Sequence, residues 1–211
     1  MPISEYNQQQ LEAILIVREH LGKLPQCRMS EIKERIRKYL RFRTEVEDFQ
    51  ARYLSGICTQ KCFTSQISAC CNREGIATFF ADVVINVLLS SGEEVDTLIR
   101  ALLNDRGGVK CVYLSESGCL WRLKPIVCEM YLCKYAKESI LYSEDGLHAQ
   151  WEKLRRREKY YTWPSRPVLF DRLEEIFIHA GYDNSLMYFH HSPGLIRVKN
   201  RHLESHSPKR T

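Results

Sequence analysis

A chain of 211 residues, 44% hydrophobic and 27% charged, is long enough to bury a core and has neither a disordered nor a collagenous composition. Its formal net charge of +5 is mildly basic, short of the footprint of a dedicated nucleic-acid binder, and no run of about 18 apolar residues offers a membrane span. The unusual feature is cysteine, nine of them, at positions 27, 58, 62, 70, 71, 111, 119, 128 and 133.

In chain order, residues 4–22 read as an amphipathic helix with Leu11, Ile14, Leu15 and Leu21 at helical spacing, ended by Gly22 and Pro25. A second helix is expected from Ser30, a good N-cap, to about Leu54. Its apolar stripe is Ile32, Ile36, Tyr39 or Leu40, Val46, Phe49 and Tyr53, with Lys33, Arg35, Arg37, Lys38, Arg41 and Arg43 filling the remainder. From Ile57 to Gly75 the period is lost in a segment rich in Cys, Thr, Ser and Gln. Ile76 to Leu89 is almost continuously apolar, broken by Asp82 and Asn86, and reads as a buried helix; Glu93 to Asn104 is a further one. Val109 to Leu114 and Cys119 to Leu123 are strand-like around the turn residues Ser115 to Gly118, a hairpin. After Pro125 the stretch IVCEMYLCKYA is compatible with one helix carrying Cys128 and Cys133, and helices are expected over Gly146 to Tyr160 and Leu169 to Ala180. Arg197 to Thr211 is polar, basic and without period, and reads as disordered. The fold class is mainly α, with one short β-hairpin. The chain divides into an N-terminal helical segment (1–56), a cysteine-rich, loop-dominated metal-binding unit (57–135), a C-terminal helical segment (136–196) and a basic tail (197–211).

Compartment decides how the cysteines are read. The first residues lack a basic n-region and a long uninterrupted apolar stretch, since Glu12 cuts into the run from Leu11 to Val17 and Arg18 follows it, so a reducing cytoplasm is expected, where clustered thiols hold metal more often than they pair. Eight of the nine fall into two fours: Cys58, Cys62, Cys70 and Cys71, then Cys111, Cys119, Cys128 and Cys133. Thiolate is a soft ligand that suits zinc, copper(I) or iron–sulfur clusters, and a tetrahedral site takes four. Adjacent Cys70 and Cys71 are awkward as two corners of one tetrahedron. Loose spacing over several loops suits an iron–sulfur cluster of the 4Fe-4S kind, which presents several iron corners. Softness alone leaves iron and zinc equal. Metal binding drawing on both groups would close a long loop and couple to folding.

The two cysteine groups, the first ending in Cys70-Cys71 and the second carrying Cys111, Leu114, Cys119, Pro125, Cys128, Tyr131 and Cys133, resemble the YkgJ-type cysteine-cluster family over about residues 57–135. Asp82 matches the acidic residue that the family places in the intervening helix. The first group is spaced more widely than the family pattern, Lys124 stands where Arg is usual, and Glu129 follows Cys128 where Arg is usual. The resemblance implies a zinc- or iron-chelating domain whose biochemical role is unassigned. One branch of the family is similar to flagellin lysine methylases, which are longer chains; no glycine-rich nucleotide loop following a strand supports methyl transfer here.

The other features have plainer readings. Cys27, isolated between two helices, is a packed or free thiol. His190, His191, His202 and His206 lie in a polar segment and read as solvent-exposed. Two basic runs, 33–43 and 153–159, interleave Tyr39, Phe42, Tyr160 and Tyr161, yet acids flank both, so nucleic acid is not expected as a partner unless the charge gathers on one face. Trp121 and Trp163 read as packing residues. Asp82 is either an acceptor that holds the loops around the metal or an ordinary helix position. Neither a Ser-His-Asp arrangement, a phosphate loop nor a metalloprotease helix occurs, so no catalytic residue is assigned. The sequence thus points to a chelator of iron or zinc, with a redox or metal-handling enzyme and a nucleic-acid module built on structural zinc as alternatives.

Overall fold

The computed structural model describes residues 3–57, 77–104, 107, 110–115, 118–142, 145–163 and 167–188. The chain is mainly α-helical with one short antiparallel hairpin, as the periodicity requires. Helix α1 (Glu5–Lys23) starts at Ser4, whose hydroxyl accepts from the Asn7 amide at 3.2 Å. Its buried side is Asn7, Gln10, Ala13, Ile14, Val17 and Leu21, rotated from the expected stripe so that Leu15 is left exposed. The polar pair on that side is used: Asn7 Nδ2 donates to the Leu102 carbonyl at 3.3 Å, and Gln10 Oε1 accepts from the Tyr113 hydroxyl at 3.3 Å.

Helix α2 (Gln26–Tyr53) begins a turn before Ser30. Pro25, with φ of −60°, supplies a ready-made helix entry and no amide to satisfy, while the Ser30 hydroxyl bonds back to the Gln26 carbonyl at 2.9 Å from inside the helix. A single turn, α3 (Ser55–Ile57), follows. Helix α4 (Phe80–Leu89) starts four residues later than expected and buries Phe80, Ala81, Val83, Val84, Ile85 and Leu88. Ser91 and Glu94 form a reciprocal cap at the head of α5 (Gly92–Leu103), with distances of 3.2 and 2.7 Å. The hairpin is shorter than expected: β1 (Leu114–Ser115) pairs with β2 (Gly118–Cys119), Leu114 opposite Cys119.

The stretch after Pro125 is two helices rather than one. Helix α6 (Ile126–Met130) ends at Tyr131, which is extended at φ −82° and ψ 129°, and α7 (Lys134–Ala136) restarts with the Cys133 sulfur accepting from the Ala136 amide at 3.4 Å. The break lets Leu132 enter the core while Tyr131 stays half exposed. A π-helical turn (Lys137–Leu141) continues α7, followed by α8 (Leu147–Thr162) and α9 (Leu169–His179), close to their expected bounds. The expected tail at 197–211 lies outside the described residues.

Helix α4 is central, packed on α1 and α9; α5 also packs on α1, and α8 on α2 and α9. Buried apolar side chains from Ala13 to Met187 form one cluster, the driving force for the assembly. Trp121 is buried, as expected, whereas Trp163 is half exposed, past the last full turn of α8 where the core no longer reaches. Among the described residues, no helix is long and apolar enough to cross a membrane.

Candidate metal centre

The second cysteine group arrives on separate pieces of chain. Cys111 precedes the hairpin, Cys119 ends β2, Cys128 lies in α6 and Cys133 heads α7. None of the four is in a disulfide, and neither is the exposed Cys27. Cys58, Cys62, Cys70 and Cys71 lie outside the described residues, as do His190, His191, His202 and His206.

The turn that presents Cys128 is held from two sides. On α4, Asp82 and Asn86 are one turn apart and so share a face. Asp82 Oδ1 accepts from the Ile126 amide at 3.1 Å and its Oδ2 from the Phe79 amide at 3.2 Å; Asn86 Oδ1 accepts from the Leu123 amide at 3.1 Å. From α2, the buried Arg43 donates to the Lys124 carbonyl at 2.6 Å and to the Tyr39 hydroxyl at 2.8 Å, with the Glu129 carboxylate 3.8 Å away. Gln50 donates to the Glu129 carbonyl, and Lys124 lies 3.5 Å from the Glu129 carboxylate. Of the two readings of Asp82, the geometry therefore supports the acceptor.

Burial governs the electrostatics. It pushes the Cys128 thiol up to about 12, and the charges of Asp82, Cys111 and Cys119 push the same way against one hydrogen bond from the Ala77 amide. Ala77 is the first described residue after the first cysteine group. Burial raises the Asp82 carboxyl to about 7, opposed by the Arg43 cation and by the Ile126 and Phe79 amides. Tyr6 and Tyr113 are held neutral by burial; Cys111 and Cys128 act on both phenols, and Cys119 on Tyr113 as well. Cys111, Cys119 and Cys128 thus share one electrostatic neighbourhood, while Cys133 serves its helix as a cap.

Among the described residues, no three Cys, His, Asp or Glu side chains are disposed to hold a metal ion. One feature nonetheless suits a metal: the donor set is reduced thiols, which match a soft cation. The Tyr6 and Thr78 hydroxyls are buried together in the same region and interact with each other.

Arg43, Asn86, Tyr6 and Thr78 escaped the sequence reading. For Asn86 and Arg43 a signal existed: a polar residue one turn beyond Asp82 on an apolar helix, and a cation at helical spacing from Ile36, Tyr39 and Val46. Tyr6 and Thr78 had none.

Two other features lie elsewhere. A cleft of about 440 Å³ between α1, α2 and α9 is walled by His20, Arg28, Arg35 and Arg172. His20 is 14 residues beyond Tyr6, about 21 Å along α1. Two of those arginines are paired, Arg28 with Glu31 at 2.8 Å and Arg172 with Glu175 at 2.9 Å. The two basic runs lie on the neighbouring helices α2 and α8, with Phe42 stacked on Tyr161 at 5.4 Å and Arg157 gripping Glu45 in bidentate fashion. Further pairs, Arg37 with Glu34 and Arg155 with Glu152, lace both surfaces with acid.

No protein-family model, curated protein or solved structure matches this chain.

Proposed function

We propose that this chain is a metal-binding protein that takes up iron, as an iron–sulfur cluster, or zinc through cysteine thiolates. The ligands are Cys111, Cys119, Cys128 and Cys133, with Cys58, Cys62, Cys70 and Cys71 as the second four. The observation that carries the reading is the shared neighbourhood of Cys111, Cys119 and Cys128, reduced cysteines brought from three separate segments. A buried thiol pushed up to about 12 is protonated in the metal-free protein, so binding releases protons to the solvent. Arg43, Asp82 and Asn86 hold the Leu123–Cys128 turn and fix where the Cys128 sulfur is presented. Bound metal would supply cross-linking of distant loops and, as iron, one-electron chemistry. The reduced cysteines suit a reducing compartment, and we place the protein in the cytoplasm on that ground.

Anaerobic purification followed by iron, zinc and acid-labile sulfide analysis and an optical spectrum tests the reading. A broad band near 400 nm, roughly where thiolate-bound iron absorbs, identifies a cluster and a redox or metal-handling role; a colourless protein containing zinc identifies a structural site. Cys128→Ser lowers metal content and the melting temperature of the loaded protein. Absence of both metals, or a Cys128→Ser protein with unchanged metal content and melting temperature, refutes the reading.

A further inference from the structure

We infer that the cleft between α1, α2 and α9 is a binding site for a small phosphate monoester, its phosphoryl oxygens held by Arg28, Arg35 and Arg172 and its organic part resting on the apolar base. This site is separate from the metal-binding reading above. His20, in its wall, lies about 21 Å along α1 from Tyr6, the phenol on which Cys111 and Cys128 act.

Shape comes first. The three helices enclose about 440 Å³, within the range of about 300–1,000 Å³ that small-molecule pockets occupy. Ile32 is buried, and Leu24 and Ile176 are packed against the core cluster, so the apolar lining lies deeper than the exposed arginines. His20 is held in the wall by ring contacts, its centroid 4.8 Å from that of Phe177 and 5.2 Å from that of Tyr182. Burial favours its neutral form, so the arginines rather than this ring supply the positive charge.

Charge then selects the ligand. Arg28 donates through one nitrogen to Glu31 at 2.8 Å, and Arg172 through one to Glu175 at 2.9 Å, each within its own helix. A guanidinium carries several N–H donors in a fixed fork, so both arginines keep most of theirs for a ligand. Arg35 goes further: it is exposed, and among the described residues it makes no hydrogen bond or ion pair. The reason is local. Glu31 is the acid at helical spacing from Arg35, and Arg28 has taken that carboxylate. Three guanidinium groups thus face two carboxylates across the cleft. A carboxylate ligand needs one such fork, whereas a phosphate monoester offers three acceptor oxygens and a charge of about −1.5 to −2 to several of them. The apolar base suits an organic substituent better than bare phosphate.

Isothermal titration calorimetry with phenyl phosphate, inorganic phosphate and benzoate tests the site in the parent, Arg35→Gln and Arg172→Gln. Phenyl phosphate should bind saturably and more tightly than either other probe. Each variant should bind it about tenfold more weakly, the effect of losing one charge-assisted contact. Arg35→Gln should melt like the parent, because the side chain is exposed and holds no partner among the described residues. Lys33→Gln, on the same helix but outside the cleft, should bind phenyl phosphate as the parent does. Absence of saturable heat in the parent overturns the inference. Equal affinity for inorganic phosphate or benzoate, parent-like affinity in both arginine variants, or equal weakening by Lys33→Gln also overturns it. Metal content is untouched by any of these outcomes, so the site stands or falls apart from the metal-binding reading.

Discussion

Replacing Arg43 by Met tests whether the buried charge cluster holds the Cys128 turn. Methionine keeps most of the unbranched stem, so packing against Tyr39 is largely preserved while the cation is removed. The guanidinium is almost wholly inaccessible and binds the Lys124 carbonyl at 2.6 Å and the Tyr39 hydroxyl at 2.8 Å. Its removal strands the Lys124 carbonyl and deprives the buried Glu129 and Asp82 carboxyls of the cation that acts on each of them. Taking one partner from a buried ion pair costs about 3–5 kcal/mol. At roughly 2–4 °C per kcal/mol for a chain of this length, the melting temperature should fall by about 6–20 °C at pH 7.5. Lowering the pH to 5.5 should shrink the loss, because Asp82, already raised to about 7, takes up a proton and no longer needs the cation. Arg43→Met combined with Glu129→Gln should recover part of the difference, since the second change removes a stranded charge. Thermal melts by far-ultraviolet circular dichroism, checked by urea midpoints, supply the readout. A single variant that melts within 2 °C of the parent, or a double variant less stable than the single one, would refute the reasoning.

Asp82 makes stability depend on pH in an unusual direction. Its folded value of about 7 lies above the ordinary value of 3.8, so its favourable contribution is full below about pH 4 and is lost as pH rises through 7. Urea midpoints across pH 4–8 should fall more steeply with pH in the parent than in Asp82→Asn; equal slopes refute the assignment. In the metal-free protein at pH 8, iodoacetamide followed by mass spectrometry should modify exposed Cys27 well before Cys128, whose thiol is pushed up to about 12; equal rates refute it. Glu45→Ala, which breaks an exposed bidentate pair with Arg157, should cost about 0–1 kcal/mol, a shift of less than about 4 °C in melting.

The helices were legible because their information is local. Alternation at 3.6 residues marks α1, α8 and α9 to within two residues at either end, and the apolar run from Phe80 marks α4 as buried. Boundaries failed where two local signals competed. Ser30 is a better cap than Pro25 by propensity, but Pro25 comes first and its fixed φ starts the helix. The break at Tyr131 depends on where Leu132 finds space in a core assembled from distant helices, which no window of sequence contains. Arg43 falls among the basic residues outside the expected apolar stripe, although its spacing from Ile36, Tyr39 and Val46 places it on the buried face.

The sequence suggests a metal that organises a loop-dominated unit between two helical flanks. The structure gives the described part of that unit another source of order. Cys128 is presented by a turn whose amides at Leu123 and Ile126 are accepted by α4 and whose Lys124 carbonyl is bound from α2, and both helices belong to the one apolar cluster that spans the chain. The position of this thiol is therefore set by helix packing. Preorganisation of that kind lowers the conformational entropy lost on binding and so raises affinity. Its cost is visible in the same place: a carboxyl raised to about 7 and a thiol pushed up to about 12. A stretch of chain selected only for stability would shed such groups, since apolar residues of the same shape would serve better there. The metal-binding reading proposed for this chain accordingly centres on the end of α1 and α4 where these groups share a neighbourhood with Cys111, Cys119 and Cys128.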